Sequence, residues 1–581
     1  MKSFRWLAPY VPSYLKLAVP AWICLLAEVF VDLSLPTLLA TLVNTGIAQR
    51  DTPVVLRLGL LMFGLALVGL AFGQTRNWLS TKVSQDFGTR VRADLFRKVQ
   101  RLSMASAQKV GAASLITRLT QDVTQMQNMS FMLTRVFIRA PLLLLGSVVM
   151  AFLLNPGLAM ILLAVIPLLS LLIVLRIRRG MPLFRRVQQA LDKVNGVMRE
   201  FLAGVRVVKV FNRHDYEQAK FDRANQNLTG LGISAARAMA TIMPLMLMLM
   251  NGSILLVLYF GGVRVSGGRM QVGDIIAFIN YFLQILHAMM MVSWIFTAGV
   301  RAKTSSDRIA EVFALPDGMP VPEAPLSPGR TGSLEMRDVS FVWPEQREPV
   351  LQDITFSVKP GQTVAIIGAT GSGKSSLVNL FSRFHDVSRG TVLVDGVDVR
   401  QFALKDLRGR VAMVPQQAVL FSGTIRDNLR WGNPQADETA LQAATHAACA
   451  DEFIPRLEHG YDTWIGQGGV NLSGGQKQRL SIARALLCDA PVLVMDDSTS
   501  AIDMKTEALI RKRLRAYARD LTVLIVAQRI HSVMDADQIL VLDEGRLVGL
   551  GTHKDLLETC DVYRDIYRSQ MGLDRTGREV V

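Results

Sequence analysis

Between residues 368 and 375 the chain reads Gly368-Ala369-Thr370-Gly371-Ser372-Gly373-Lys374-Ser375, with Ser376 next. Glycines at this spacing let backbone N–H groups curl round phosphates. The lysine reaches the outer phosphates, and the Ser375 hydroxyl is placed to ligate Mg²⁺. The apolar run Val364-Ala365-Ile366-Ile367 before the loop and Leu377-Val378 after it supply the strand–loop–helix context the pattern requires. Farther on, Val492-Leu493-Val494-Met495 ends in Asp496-Asp497, and an acid at a strand end downstream of such a loop suits a water-mediated hold on the same metal. Leu472-Ser473-Gly474-Gly475-Gln476 places two glycines and a serine at a helix start, a second anion-binding nest. Its separation from the phosphate loop suits a different nucleotide, across a dimer interface.

These residues need an α/β scaffold. From about 333 to 570 short β-branched runs alternate with helical ones, as in a parallel-sheet domain. The segment 313–332, rich in Pro and Gly, reads as a linker. The first 300 residues differ. Hydrophobic residues make up 50% of the 581-residue chain and charged ones 19%, and the apolar excess falls in six stretches near 16–43, 54–75, 132–154, 157–177, 239–262 and 274–300. Each is long enough to cross a bilayer, which takes about 20 residues. The sequence thus predicts an α-helical membrane domain over 16–312, fused to an α/β P-loop ATPase domain with a β-rich and an α-helical subdomain.

The segments 76–131 and 178–238 are long, charged and helical in pattern, which predicts rods projecting beyond the bilayer with turns near 111–114 and 204–206. Lys and Arg cluster there, notably over 90–101 and 176–223, so the positive-inside rule puts both termini on the cytoplasmic side. This accounts for the net charge of +16 without nucleic acid, for which no basic patch with interleaved aromatics is present. Cys24, Cys449, Cys488 and Cys560 form no C-x-x-C pair and indicate neither a disulfide framework nor a zinc site. Residues 1–15 lack a cleavable-signal pattern and suit an interfacial helix; 571–581 reads as a tail.

The set GATGSGKS, Val414-Pro415-Gln416-Gln417, LSGGQ, VLVMDD and Ser500-Ala501-Ile502-Asp503 closely resembles ATP-binding-cassette transporters, and six membrane segments before the cassette resemble an exporter half-transporter. The resemblance covers about 10–570. It implies that ATP and Mg²⁺ are the cofactors, with Ser375, Gln416 and Asp496 around the metal and Trp343 stacked on adenine. It also implies that Gln467-Gly468-Gly469 contacts the rods and that Asp503 lies in the loop coupling two nucleotide sites. Segments 111–124 and 204–215 would be coupling helices. Ser473, Gly474, Gly475 and Gln476 would complete the partner subunit's site in trans.

Two positions depart from the pattern. Where the family places Glu to polarise the attacking water, this chain has Asp497; where it places a switch His, this chain has Gln528. Asp497 is shorter by one methylene, about 1.3–1.5 Å of reach, and a misplacement of about 1 Å costs on the order of a hundredfold in rate. Gln528 can hydrogen-bond a phosphate but cannot become cationic. The pattern resembles the degenerate-site subunit of heterodimeric bacterial multidrug exporters in the inner membrane, which implies a homologous partner bearing Glu and His. A homodimer with two slow sites, a carrier of lipid, peptide, haem, a thiol or a siderophore, and an ATP-gated regulator or channel remain open readings.

The transport path is less legible. Glu28 and Asp32 are intramembrane acids, costly in hydrocarbon; they line a cavity for cationic substrates, form a gate, or pair with Arg135 or Arg139. Asn280, Gln284 and His287 in the sixth stretch are expected to avoid lipid and face the cavity. Met243, Met246, Met248, Met250, Phe282, Met289–Met291 and Trp294 offer a soft apolar lining for small amphipathic substrates, or simply pack.

Overall fold

A computed structural model describes residues 2–344, 346–518 and 520–571; the expected tail lies, after Met571, outside them. The chain forms two compact units, one comprising residues up to Gln100 with Ala112–Leu315 and the other Arg101–Gly111 with Pro316 onward.

Among the described residues of the first unit, six helical spans are long and apolar enough to cross a membrane. The helices are Val11–Thr41, Thr52–Arg101, Arg139–Leu154 at the end of the third span, Pro156–Ala203, Ile242–Ser266 and Val272–Ala314. The second helix has 50 residues, about 75 Å at 1.5 Å per residue, against a hydrocarbon thickness of about 30 Å. The charged stretches are therefore helical extensions of the spans, as their pattern predicts. Asn155 turns the chain between the third and fourth spans, its Oδ1 accepting from the N–H groups of Gly157 and Leu158 ahead of a proline-led helix. At the other end of the sixth span, a Cβ on Gly273 would lie 2.3 Å from the Ala40 carbonyl, so only glycine lets the first and sixth helices meet there. Leu158, Leu162 and Leu169 pack with Met246, Met250, Phe278, Phe282 and Met289 in one buried cluster. Four of the expected lining residues (Met246, Met250, Phe282 and Met289) are thus helix–helix packing, while Met243 and Met248 are exposed.

Three expected boundaries shift. The expected N-terminal helix is a 3₁₀ helix covering Lys2–Tyr10, because the first long helix already starts at Val11. The short helix at the end of the second rod is Met104–Val110 rather than 111–124. Ser103 caps its start and Gly111, at φ +81°, ends it, leaving Ala112 onward in the returning rod. Its counterpart, Val205–Val210, lies inside the expected 204–215. The expected linker is helical to Ala314, and its later part is bonded into the cassette. The Asp395 carboxylate accepts from Thr331 and Gly332, and Arg410 donates to the carbonyls of Pro328 and Gly329.

The cassette is built on a six-stranded sheet in the order Arg546–Gly551, Gln538–Asp543, Thr363–Gly368, Thr522–Val526, Val492–Asp496, Val411–Val414, all parallel except the first. Alternate residues of one strand enter different cores: Ala365 and Ile367 one, Val364 and Ile366 the other. A strand covered on both faces must be apolar throughout, which is why these runs read as continuous. A four-stranded antiparallel sheet, Leu351–Val358, Leu334–Phe341, Arg389–Val394, Val397–Asp398, forms the β-rich part. The phosphate loop, Gln416, Asp497 and Gln528 all follow the carboxyl ends of adjacent parallel strands, the edge where open α/β sheets bind ligands.

Candidate functional site

The phosphate loop closes on itself. Gly368, Gly371 and Gly373 have φ of +159°, +89° and +94°, and a Cβ on Gly368 would lie 2.1 Å from the Leu542 carbonyl. Lys374, buried, donates from Nζ to the carbonyls of Gly368 and Ala369, both at 2.8 Å. With the carbonyls so engaged, the loop's N–H groups and the start of the Lys374–Phe381 helix form the anion-binding face. Burial lowers the Lys374 ammonium below its ordinary pKa, against the opposing pull of Asp497 and Asp496.

Ser375 Oγ donates to Asp496 Oδ1 at 2.9 Å. The hydroxyl and carboxylate that the sequence assigns to one Mg²⁺ are thus adjacent, and both are oxygen donors suited to that hard cation. Burial raises the Asp496 carboxyl above the usual carboxylate range, with the neighbouring Asp497 charge adding to the shift and the Ser375 bond opposing it. A divalent cation here would reverse that balance.

Asp497, half-buried, is held through its backbone and one carboxylate oxygen. Its backbone sits at φ +46°, a left-handed conformation that aspartate tolerates better than most residues. Its N–H donates to the Val526 carbonyl at 3.0 Å. Its Oδ2 accepts from Gln416 Nε2 at 3.1 Å and from Gln528 Nε2 at 2.9 Å. Burial raises its pKa, while the two amides and the Lys374 and Arg529 charges oppose the shift. Gln416, expected near the metal, donates its amide to this carboxylate.

Trp343 is half-buried after the strand Leu334–Phe341, edge-on to His385 with ring centroids 4.7 Å apart. Burial lowers the His385 pKa, so a neutral imidazole backs the indole. The arrangement leaves Trp343 as a supported aromatic plane of the kind a base stacks on.

The second nest opens the helix Gly474–Leu486. Ser473 caps it, its Oγ accepting from Gln476 N–H while Gln476 Oε1 accepts from Ser473 N–H. At Gly475 a Cβ would come to 3.0 Å from the Ala501 carbonyl, a tight approach that favours glycine. Gln478, which sequence reasoning passed over, is buried and ties this helix to the 500–503 loop, with Nε2 near Ser500 Oγ at 3.3 Å and Oε1 accepting from Ala501 N–H at 3.0 Å. Arg529 reaches the same loop through the carbonyls of Ser500 and Ile502.

Comparison with known proteins agrees with this geometry. Residues 21–289 match the ABC transporter transmembrane region and residues 351–500 the ABC transporter family. The chain is 40% identical over 98% of its length, and 99% of that protein's, to YfiB of Bacillus subtilis, an uncharacterized ABC transporter ATP-binding protein. The chain belongs to the ABC transporters. It is 31% identical, over 98% of its length and 97% of the relative's, to an ATP-dependent lipid A-core flippase of Chromobacterium violaceum. A solved bacterial Atm1-family ABC exporter with ATP bound superimposes with a TM-score of 0.78 at 26% identity, covering 97% of this chain and 99% of that one. The protein is therefore an ATP-driven exporter half-transporter, with a six-span membrane region and an ABC ATPase domain. Such exporters act as dimers in a lipid bilayer.

In the exporter's membrane region the acids are paired. Glu28 meets Arg76 at 2.6 Å and Arg139 at 3.0 Å, and Arg139 meets Asp32 at 2.9 Å. Of the two cations expected as partners, Arg139 serves; Arg135 instead lies over the Phe131 ring, 5.5 Å from its centroid. Arg76, just past the expected end of the second stretch, was missed, although a buried carboxylate in hydrocarbon calls for a close cation. Gln284 does not face an open cavity with free valences: its Oε1 accepts from Ser147 and its Nε2 donates to the Asp32 carbonyl. Asn280 Nδ2 donates to the Ile276 carbonyl one turn back, and His287 is exposed. The acids and Gln284 thus brace the first, second, third and sixth spans.

Proposed function

We propose that this half-transporter is the degenerate-site subunit of a heterodimeric efflux pump for small amphipathic compounds, binding ATP in its own site and turning it over slowly. The observation that carries this reading is Asp497, one methylene short of Glu and engaged by the amides of Gln416 and Gln528. A carboxylate so occupied and so short is poorly placed to polarise a water on the γ-phosphate. Lys374, Ser375, Asp496 and Trp343 retain what ATP–Mg²⁺ binding needs. The Ser473–Gln476 nest is intact and would serve the site of a partner bearing Glu and His, where most hydrolysis would occur.

The membrane is the bacterial inner membrane, with cassette and termini cytoplasmic, in line with the basic rods. The short helices Met104–Val110 and Val205–Val210 are the coupling helices, the second reaching the partner's cassette. ATP closes the cassettes, the coupling helices transmit the closure, and the cavity turns outward. The kinship to a lipid A-core flippase supports a second reading, in which the cargo is a lipid. Purification of the tagged chain from its native membrane tests the pairing: the reading expects a homologous second chain in equal amount. A homodimer hydrolysing ATP at a substantial rate overturns it.

A further inference from the structure

We propose that Gln570, at the end of the last described helix, is a positioning residue for the ATP site, holding the switch segment so that Gln528 keeps its place. The segment leaves the strand Thr522–Val526 and passes through Ala527, Gln528 and Arg529 into a short turn at Ile530–Ser532. Outside a sheet ladder its backbone groups need other partners. One side chain supplies two of them. Gln570 Nε2 donates to the Gln528 carbonyl at 2.7 Å, and Gln570 Oε1 accepts from the Ile530 N–H, also at 2.7 Å.

The glutamine amide, a donor and an acceptor on one group, makes both bonds at once in a single orientation. The clamp straddles Arg529. On one side of it Gln528 Nε2 donates to Asp497; on the other, Arg529 donates to the carbonyls of Ser500 and Ile502. Gln570 therefore fixes the backbone from which both side chains project, one toward the hydrolysis position and one toward the loop that touches Gly475.

The clamp is carried by a firmly seated helix. Asp561–Met571 buries Tyr563 completely, the phenol paired with His553 Nδ1 at 2.7 Å, and sets Val562, Ile566 and Tyr567 against the cassette core. Gln570 itself is solvent-exposed, so packing does not account for it. The C-terminal helix is thereby mechanically joined to the nucleotide site, and anything that moves the helix moves Gln528.

This inference rests on reading Gln528 as a γ-phosphate contact. The test measures retention of a radiolabelled azido-ATP analogue with Mg²⁺ by this chain in the purified transporter, photolabelled after a chase with unlabelled ATP. Gln570→Leu should shorten retention by at least about threefold, the size of one net hydrogen bond, with initial labelling unchanged because Lys374 is untouched. Gln570→Glu, which keeps the acceptor but loses the donor, should fall between. Gln528→Ala should shorten retention too, and the double variant Gln570→Leu/Gln528→Ala no further than Gln528→Ala, as expected of residues acting in series. Wild-type retention in Gln570→Leu beside a shortened Gln528→Ala, or additive effects in the double variant, overturns the positioning role alone. A Gln528→Ala variant with no effect overturns the γ-phosphate reading as well.

Discussion

At Asp497 backbone and side chain pull in different directions. The left-handed φ of +46° suits a short polar residue, whereas hydrolysis in this family calls for the longer Glu. Asp497→Glu is therefore expected to lower thermal stability slightly, by about 1 kcal/mol, even if it raises turnover; differential scanning calorimetry reads the first effect independently of the second. Lys374→Ala removes the only side-chain cation of the phosphate loop and should abolish labelling of this chain by the azido-ATP analogue, while freeing the Gly368 and Ala369 carbonyls it binds. The loop, Ser375 and Asp496 were legible in the sequence because each stands at a fixed offset from an apolar strand. The Gln416–Asp497–Gln528 cluster was legible only as three separate positions, since their meeting depends on neighbouring strands that lie far apart in the chain. Gln570 left no trace in the sequence: a glutamine on an amphipathic helix is ordinary until its partners are known.

Among the elements, the long helices followed directly from charge and apolar patterning, because a span that continues in helical register past the bilayer has no turn chemistry to stop it. Their ends were less legible. The Met104–Val110 helix is set by a serine cap and a positive-φ glycine, local signals easily outweighed by the nearby Gly111-Ala112-Ala113-Ser114 turn composition. The Glu28–Arg76–Arg139–Asp32 network binds four helix faces, and breaking it should be felt across the membrane region. Arg76→Gln leaves Glu28 with one cation instead of two and should cost about 3 kcal/mol or more, seen as a lowered melting midpoint in detergent. Adding Glu28→Gln should recover much of it. If the double variant is less stable than Arg76→Gln alone, the network is not charge-compensating. In the cassette, Gln478→Ala would strand the Ala501 N–H beside the second nest, costing about 1–3 kcal/mol, and should lower turnover of the assembled transporter while leaving ATP labelling of this chain intact.

On the scale of the whole molecule, the apolar window of the second span buries none of its residues within the chain, as fits a half-transporter that meets lipid and a second subunit. The two-unit organisation was legible from composition alone, and the family from motifs at fixed spacing. Cargo was not, because Glu28, Asp32 and Gln284 turn out to be engaged between helices, and a pairing between helices cannot be read from either helix separately. The central claim is that Asp497 limits turnover in this chain's own site. It is tested most directly by steady-state ATPase of the purified transporter carrying Asp497→Glu, measured with the catalytic glutamate of the proposed partner subunit replaced so that only this site can turn over. We expect a gain of about tenfold or more over the same complex with Asp497, recovering part of the roughly hundredfold that a 1 Å misplacement costs. Unchanged hydrolysis, with ATP still bound, would contradict the account.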